Sequence, residues 1–296
     1  MSYIQLIYNP VSGQKIFKSR LDYMIEMIQN AGHELRIHRT TSNDDFDTFF
    51  KNKNMEDCEG IIVAGGDGSF NRTVNALMSY NISVPIGIVP AGTANDYARH
   101  LGIPDNIQDA INVVSKLSYK KLDIGMANDK YFVNVCSGGL LTNISHDIDP
   151  DMKNTLGKFA YYIKGVQQIP RFRSLRFRIT ANQKVYEEEL YLFLVLNGSS
   201  AGGFNRIGEY ASMKDGKLDF VGIKACPLND MPTVFRKILM GEHLEDRNIL
   251  FFQSEEILIE CLEDEKIPSD IDGEKGPDYP IQIKVLPEEL RVIVNY

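Results

Sequence analysis

The chain has 296 residues, a length that suits one large domain or two ordinary ones, and its 43% hydrophobic and 24% charged content is that of a folded protein. A formal net charge of −8 argues against general nucleic-acid binding, which needs a basic surface. The four cysteines, Cys58, Cys136, Cys226 and Cys261, stand far apart with no C-x-x-C pair, so neither a disulfide framework nor a zinc site is expected. The first residues lack a signal-peptide pattern, and no stretch approaches the ~20 apolar residues of a membrane span. The expectation is a cytoplasmic protein that meets lipid from the water side, with transient membrane association at most.

In chain order, residues 3–8 read as a short apolar strand, followed by turn chemistry at 9–13. Leu21, Met24, Ile25 and Ile28 recur at helical spacing between 15 and 31, and Gly32 stops that helix. Leu35 and Ile37 alternate with polar residues in a second strand, and 44–51 reads as a short helix. Residues 60–64 form the third strand and 69–79 its helix; 85–89 form the fourth, entering Pro90-Ala91-Gly92-Thr93 and a helix to Leu101. Such βαβα alternation predicts a mostly parallel sheet whose ligands bind at the carboxyl ends of its strands. After about Leu122 strands dominate: 131–135, 175–179, 190–196, 218–223, 257–261, 281–285 and 292–294, with helical patterns at 156–168 and 231–240. This second part reads as a domain rich in antiparallel strands.

The turn Gly65-Gly66-Asp67-Gly68 closes the third strand. Glycine allows positive φ and close approach of a ligand, and successive N–H groups before a helix make an anion site. A tight strand-to-helix connection accounts for the same glycines. Asp67 beside phosphate calls for a cation, such as Mg²⁺, between the two; alternatively it caps the helix, a role open to Ser69 as well.

The segments Asn9-Pro10-Val11-Ser12-Gly13, Gly65-Gly66-Asp67-Gly68-Ser69, Pro90-Ala91-Gly92-Thr93-Ala94-Asn95-Asp96-Tyr97-Ala98-Arg99 and Asp272-Gly273-Glu274 stand in the order seen in the diacylglycerol kinase catalytic-domain family. Over nearly its whole length the chain resembles the soluble bacterial lipid kinases of that family. The glycine turn also occurs in NAD kinases and phosphofructokinases; the G-T-A-N-D-x-A-R run and the late D-G-E make the match specific.

The resemblance implies an α/β nucleotide-binding domain, NAD-kinase/phosphofructokinase-like, in residues 1–122. An antiparallel β-sandwich-like domain for the lipid acceptor would follow in 123–296, with a closing strand at 290–296 free to return to the first and the active site in the cleft between them. ATP would lie against Asn9, Pro10, Val11, Ser12, Gly13 and Thr40, the turn Gly65, Gly66, Asp67, Gly68 and Ser69 with Asn71 and Arg72, and Gly92, Thr93 and Asn95. The element around Asp215-Gly216-Lys217-Leu218-Asp219 matches one that holds a structural Mg²⁺ in relatives, with Asp215 as side-chain ligand and Ser212 and Lys217 offering backbone oxygens. Arg72 departs from the pattern: many relatives carry glutamate there. It would bind phosphate, displace a metal contact, mark a protein that binds nucleotide but turns over poorly, or simply face solvent.

Phosphoryl transfer to a lipid hydroxyl benefits from a carboxylate that takes its proton. Seven acids lie between 262 and 279: Glu263, Asp264, Glu265, Asp270, Asp272, Glu274 and Asp278. Asp272 is favoured as the base with Glu274 supporting it, their roles being exchangeable, and Asp67 is a third candidate. Lys15 and Arg20 neutralise phosphate, pair with Asp67 or are exposed; the five histidines, His33, His38, His100, His146 and His243, show no ligand spacing. A basic face at Arg171, Arg173, Arg176 and Arg178 and the apolar face of the helix at Met231, Val234, Phe235 and Ile238 are candidates for membrane contact, each with a plain core or wet-face alternative. The favoured reading is an ATP- and Mg²⁺-dependent kinase acting on a lipid at a membrane surface, with a homodimer as an option. A degenerate nucleotide- or lipid-binding regulator and an NAD or sugar kinase are the alternatives.

Overall fold

The structure, a computed structural model, describes residues 2–13, 16–42, 45–51, 53–139, 173–199, 207, 208, 210–227, 230–264 and 266–295. The helix expected at 156–168, and Lys15, His146 and Arg171, lie outside the described residues, as do the side chains of Met231 and Phe235. The chain divides into two units, residues 1–122 with 288–296, and residues 123–287.

In the first unit, largely apolar runs and one alternating edge segment form four strands. These are β1 (Tyr3–Tyr8), β2 (Glu34–Arg39), β3 (Cys58–Gly65) and β4 (Ile86–Pro90), all parallel in the order β4-β3-β1-β2. All six residues of β1 are buried, whereas the edge strand β2 is only partly covered. The helices are α1 (Leu21–Asn30), α2 (Asp45–Phe50), α3 (Asp67–Ser79), α4 (Asp96–His100) and α5 (Ile107–Val114). Met24 and Ile28 carry the buried stripe of α1, and Gly32 takes φ 87° just past its end, the left-handed conformation that favours glycine. The side chain of Asn106 caps α5 by accepting from the Gln108 and Asp109 N–H groups.

The second unit is antiparallel. Its strands are the end of β5 (Tyr119–Ala127), then β6 (Lys130–Phe132), β7 (Val135–Gly139), β8 (Leu175–Ala181), β9 (Lys184–Leu196) and β10 (Leu218–Lys224). After α6 (Met231–Met240) come β11 (Ile249–Ser254), β12 (Glu256–Cys261), β13 (Ser269–Ile271), β14 (Glu274–Lys275) and the start of β15 (Ile281–Ile293). Strand order is β14-β13-β7-β9-β8-β12-β15, with β10 also on β9 and β11 on β10. Strand β10 is buried on both faces: Leu218 and Phe220 enter one apolar cluster, Val221 and Ile223 the other. Val234 and Ile238 of α6 join the second cluster, 1% and 3% exposed, each contributing roughly 1.5–3 kcal/mol of burial. The far end of β15 belongs to the first unit, where Val292 pairs with Ile86 of β4 in parallel.

Several expectations are corrected. The strand expected at 131–135 is broken between Phe132 and Val135, because the backbone N–H groups there turn to bind a carboxylate described below. The two strands expected at 281–285 and 292–294 are one continuous strand, which passes Pro287 with Glu288 at φ 56°. The basic face of β8 is neutralised by neighbouring strands: Arg178 pairs with Glu187 (2.8 Å) and Glu260 (3.9 Å), and Arg176 with Glu263 (3.6 Å). Arg176 and Arg178 thus belong to a charge-balanced wet face, and the buried Val234 and Ile238 make α6 a cover for the core.

Candidate active site

Four segments of the first unit converge at the carboxyl ends of β1, β3 and β4. The Asn9 N–H donates to Ala64 O (3.0 Å), the Ala91 N–H to Gly65 O (2.9 Å) and the Thr40 N–H to Tyr8 O (3.0 Å). Asn9 also accepts from the Val11 N–H through Oδ1 (3.1 Å) and reaches Ser69 Oγ through Nδ2 (3.5 Å). The segments pack backbone against backbone. A Cβ on Gly92 would stand 2.4 Å from Gly66 Cα, and one on Gly13 would stand 2.4 Å from Ala91 O. None of Gly65, Gly66 and Gly68 takes positive φ; only Gly13 among the site glycines does, at 49°. The glycine turn therefore serves close approach, and the expectation of positive φ there is withdrawn. Gly66 is the last extended residue before α3, with φ −95° and ψ −175°.

Asp67 lies inside α3 and does not cap it. Its carboxylate crosses to the next turn and accepts from the Asp96 N–H (3.1 Å) and the Tyr97 N–H (3.0 Å), the first N–H groups of α4. Burial pushes the Asp67 carboxyl above its ordinary value, the Asp96 charge adding to the shift while the two N–H groups oppose it. Asn95, left-handed at φ 51°, clasps both polar groups of Gly92: Oδ1 accepts from its N–H (2.9 Å) and Nδ2 donates to its carbonyl (3.1 Å). Phe70 and Tyr97, both 1% exposed, bring their rings to 4.6 Å and pack α3 against α4.

The remaining expected nucleotide residues sort by exposure. Val11, Gly13 and Thr93 are exposed, while Pro10, Ser12, Gly68 and Arg72 are half-buried. Thr40 is buried with its hydroxyl toward Tyr8 O (3.4 Å), and Asn71 is buried and accepts from Asn75 (2.9 Å). Arg20 is exposed ahead of α1.

In the second unit, Asp272 and Gly273 form the two-residue connection of the β13–β14 hairpin, with φ 50° and 87°. Asp-Gly is the dipeptide that such a turn selects, since both central residues need positive φ. Asp270 Oδ1 accepts from the Gly273 N–H (2.9 Å) and steadies the turn. The Asp272 carboxylate accepts three backbone N–H groups, Val133 at Oδ2 (2.7 Å) and Asn134 (3.0 Å) and Val135 (2.8 Å) at Oδ1. The Asp272 N–H returns a bond to Val135 O (3.0 Å). One carboxyl group is thus held in a fixed orientation by three N–H groups. Glu274 opens β14, half-buried.

The loop expected to hold a cation is tied in place. Asp215 Oδ1 accepts from the Lys217 N–H (3.1 Å), and Asp123, 2% exposed, accepts from the Gly216 N–H (2.8 Å). Asp219 is wholly buried, and Gln253 donates to its Oδ1 (2.8 Å). Burial pushes the Asp219 carboxyl above its ordinary 3.8, with the Asp215 charge adding to the shift. A carboxyl with a raised folded-state value stabilises the fold fully below its unfolded value and loses that contribution as pH rises through the raised one. Asp219→Asn is therefore expected to gain stability relative to the parent as pH rises from below 3.8 into the neutral range without metal, read by denaturant melts at each pH. A constant difference across that range would contradict the assignment.

Comparison with known proteins places this arrangement. Residues 4–127 match the diacylglycerol kinase catalytic domain, and residues 135–294 match the YegS C-terminal NAD kinase beta sandwich-like domain. The chain is 34% identical to the diacylglycerol kinase of Bacillus subtilis (strain 168) over 295 residues, 99% of this chain and 97% of that one. It is 31% identical to the diacylglycerol kinase of Staphylococcus carnosus, over 97% and 94% of the two chains. Two crystal structures of Bacillus anthracis str. Sterne proteins superpose at TM-scores of 0.85 and 0.79 with 30% and 26% identity, each covering 99% of this chain. They cover 95% and 97% of the respective partners, and the second is described as a diacylglycerol kinase. An α/β domain of the diacylglycerol kinase catalytic type, followed by a β-sandwich-like domain, defines a lipid kinase. The chain belongs to the diacylglycerol kinase family.

Asp96, Asp123, Asn197, Asp219 and Asp270 carry polar contacts around these sites that the motifs did not single out. Asp96 stood within the quoted G-T-A-N-D run, Asp219 within the D-G-K-L-D element and Asp270 among the late acids, whereas Asp123 and Asn197 carried no local signal.

Proposed function

We propose that the protein transfers the γ-phosphoryl group of ATP, in a Mg²⁺-dependent reaction, to the hydroxyl of diacylglycerol or a related lipid. The observation that carries this reading is the backbone-tight convergence of residues 9–13, 65–69 and 91–95 at the carboxyl ends of parallel strands. The triphosphate rests at the start of α3, whose first N–H groups and partial charge favour an anion. Arg72 and the partial charge of α3 balance its negative charge.

Both Asp67 oxygens already hold α4 N–H groups. Asp67 is therefore a poor direct ligand, and magnesium at this end arrives with the nucleotide as part of the substrate. The loop of Ser212, Asp215 and Lys217 suits a structural Mg²⁺ better, offering hard oxygen donors in a segment fixed by Asp123. Magnesium bound there would neutralise Asp215 and stiffen the loop. Millimolar MgCl₂ is expected to raise the melting temperature of the parent and not of Asp215→Ala; an equal rise in both would remove Asp215 as ligand.

Phosphoryl transfer passes through a loose transition state, so the acceptor hydroxyl needs positioning more than early deprotonation. Asp272, oriented by three N–H groups, accepts the hydroxyl hydrogen and takes its proton as the new P–O bond forms. Glu274 supports the same turn. The lipid is met at a bilayer surface; among the described residues no helix is long and apolar enough to cross a membrane.

The test is ATP-dependent labelling of a lipid panel, with soluble alcohols as controls. Labelled diacylglycerol is expected; labelling of soluble acceptors alone would overturn the substrate class. Arg72 favours a second reading, a nucleotide-binding regulator with a degenerate site. Activity confined to Arg72→Glu would support that reading, and turnover by the native chain contradicts it.

A further inference from the structure

Two peptide groups in the break between β6 and β7 are gripped at both ends. The peptide joining Val133 and Asn134 gives its N–H to Asp272 Oδ1, and its carbonyl accepts from Asn197 Nδ2 (2.9 Å). The peptide joining Asn134 and Val135 also gives its N–H to Asp272 Oδ1, and its carbonyl accepts from the Asn197 N–H (2.8 Å). Asn197 follows the last residue of β9 and is 0% exposed. Its Nδ2 donates a second bond to Asp123 O (3.0 Å), so two carbonyl acceptors fix which amide atom faces them. Hydrogen bonds in series polarise one another, each strengthening the next.

We infer that Asn197 is a positioning residue for phosphoryl transfer: it sets the rotation of the two peptide planes whose N–H groups aim and hold the Asp272 carboxylate. The inference rests on Asp272 serving as the base. It gives a reason for the broken strand. A continuous β6–β7 strand would point these N–H groups along a ladder, and Asn197 holds the carbonyls that keep them turned away from one. It also attaches Asp272 to Asp123, whose side chain secures Gly216 in the cation loop.

The test is a double-mutant cycle on the full chain with ATP and diacylglycerol in mixed micelles. Asn197→Ala is expected to lower kcat about 10- to 100-fold with KM for ATP within about twofold. In an Asp272→Asn background the same change is expected to alter kcat by less than about threefold, since both act through one carboxylate. Equal losses in both backgrounds, or a loss carried by KM, would overturn the inference. Asn197→Ser, which keeps a shorter donor, is expected to fall between parent and alanine variant. Amide exchange gives an independent readout. The Asn134 amide, whose peptide carbonyl accepts from Asn197 Nδ2, is expected to exchange faster in Asn197→Ser than in the parent, and unchanged exchange at Asn134 would overturn the inference. Should Asp272→Asn retain full turnover, the base assignment fails by itself, and exchange still decides whether Asn197 orders this amide.

Discussion

Asp272→Asn is expected to lose about 100- to 10,000-fold in kcat, the usual range for a general base in a fixed position. Asparagine tolerates the φ of 50° at this position, so the turn itself is kept. The amide can no longer accept at both ends, however. Either the Val133 N–H or the pair from Asn134 and Val135 then faces an NH₂ group. Losing charge-assisted bonds of this kind costs about 1.5–3 kcal/mol each, so the variant is expected to melt earlier as well as turn over slowly. Kinetics measured well below that melting point separate the two effects. A variant that melts early but keeps its kcat would make Asp272 a structural tie and return the base assignment to Glu274.

Gly92→Ala is the second large effect. The added Cβ would meet Gly66 Cα at 2.4 Å and Asn95 Oδ1 at 2.8 Å, and the first of these is backbone, which has no rotamer to escape into. Overpacking of this kind costs about 1–3 kcal/mol, occasionally more, and here it pries apart two segments of the nucleotide site. KM for ATP is expected to rise at least ~10-fold, equal to about 1.4 kcal/mol of lost binding. Gly32→Ala is the control, because it imposes a strained φ, of 87°, and meets no atom within 4 Å. It should lose about 1–2 kcal/mol of stability from the left-handed backbone alone and leave KM unchanged. Equal KM shifts in both variants would mean that general destabilisation, and not the contact between turns, is being measured.

The parallel sheet of the first unit was legible because β1, β3 and β4 are nearly pure apolar runs ending in glycine or proline turns, a pattern that few arrangements besides buried parallel strands produce. The Asp272-Gly273 hairpin was legible for a similar reason, since the dipeptide names its turn. What stayed hidden depends on contacts across long stretches of chain. Asp67 read as the neighbour of a phosphate-bound cation, with a cap for its own helix as the alternative, and nothing local shows that it caps a helix about thirty residues on. The break at Val133 and Asn134 was invisible because those residues have ordinary strand propensity; the carboxylate that opens the strand comes 137 or more residues later. Asn197 gave no signal at all, being one asparagine after an apolar strand. For Arg176 and Arg178 the alternation showed a wet face, but the acids facing them come from β9 and from the β12 end and were not visible locally.

Every proposed role in the first unit depends on the nucleotide lying against its convergent turns, and hydrogen exchange with and without Mg-ATP addresses that directly. Slowed exchange confined to amides at 9–13, 65–72 and 91–96 is the predicted result, lost in Gly92→Ala. Slowing that falls elsewhere, or that leaves those amides unchanged at saturating nucleotide, would contradict it.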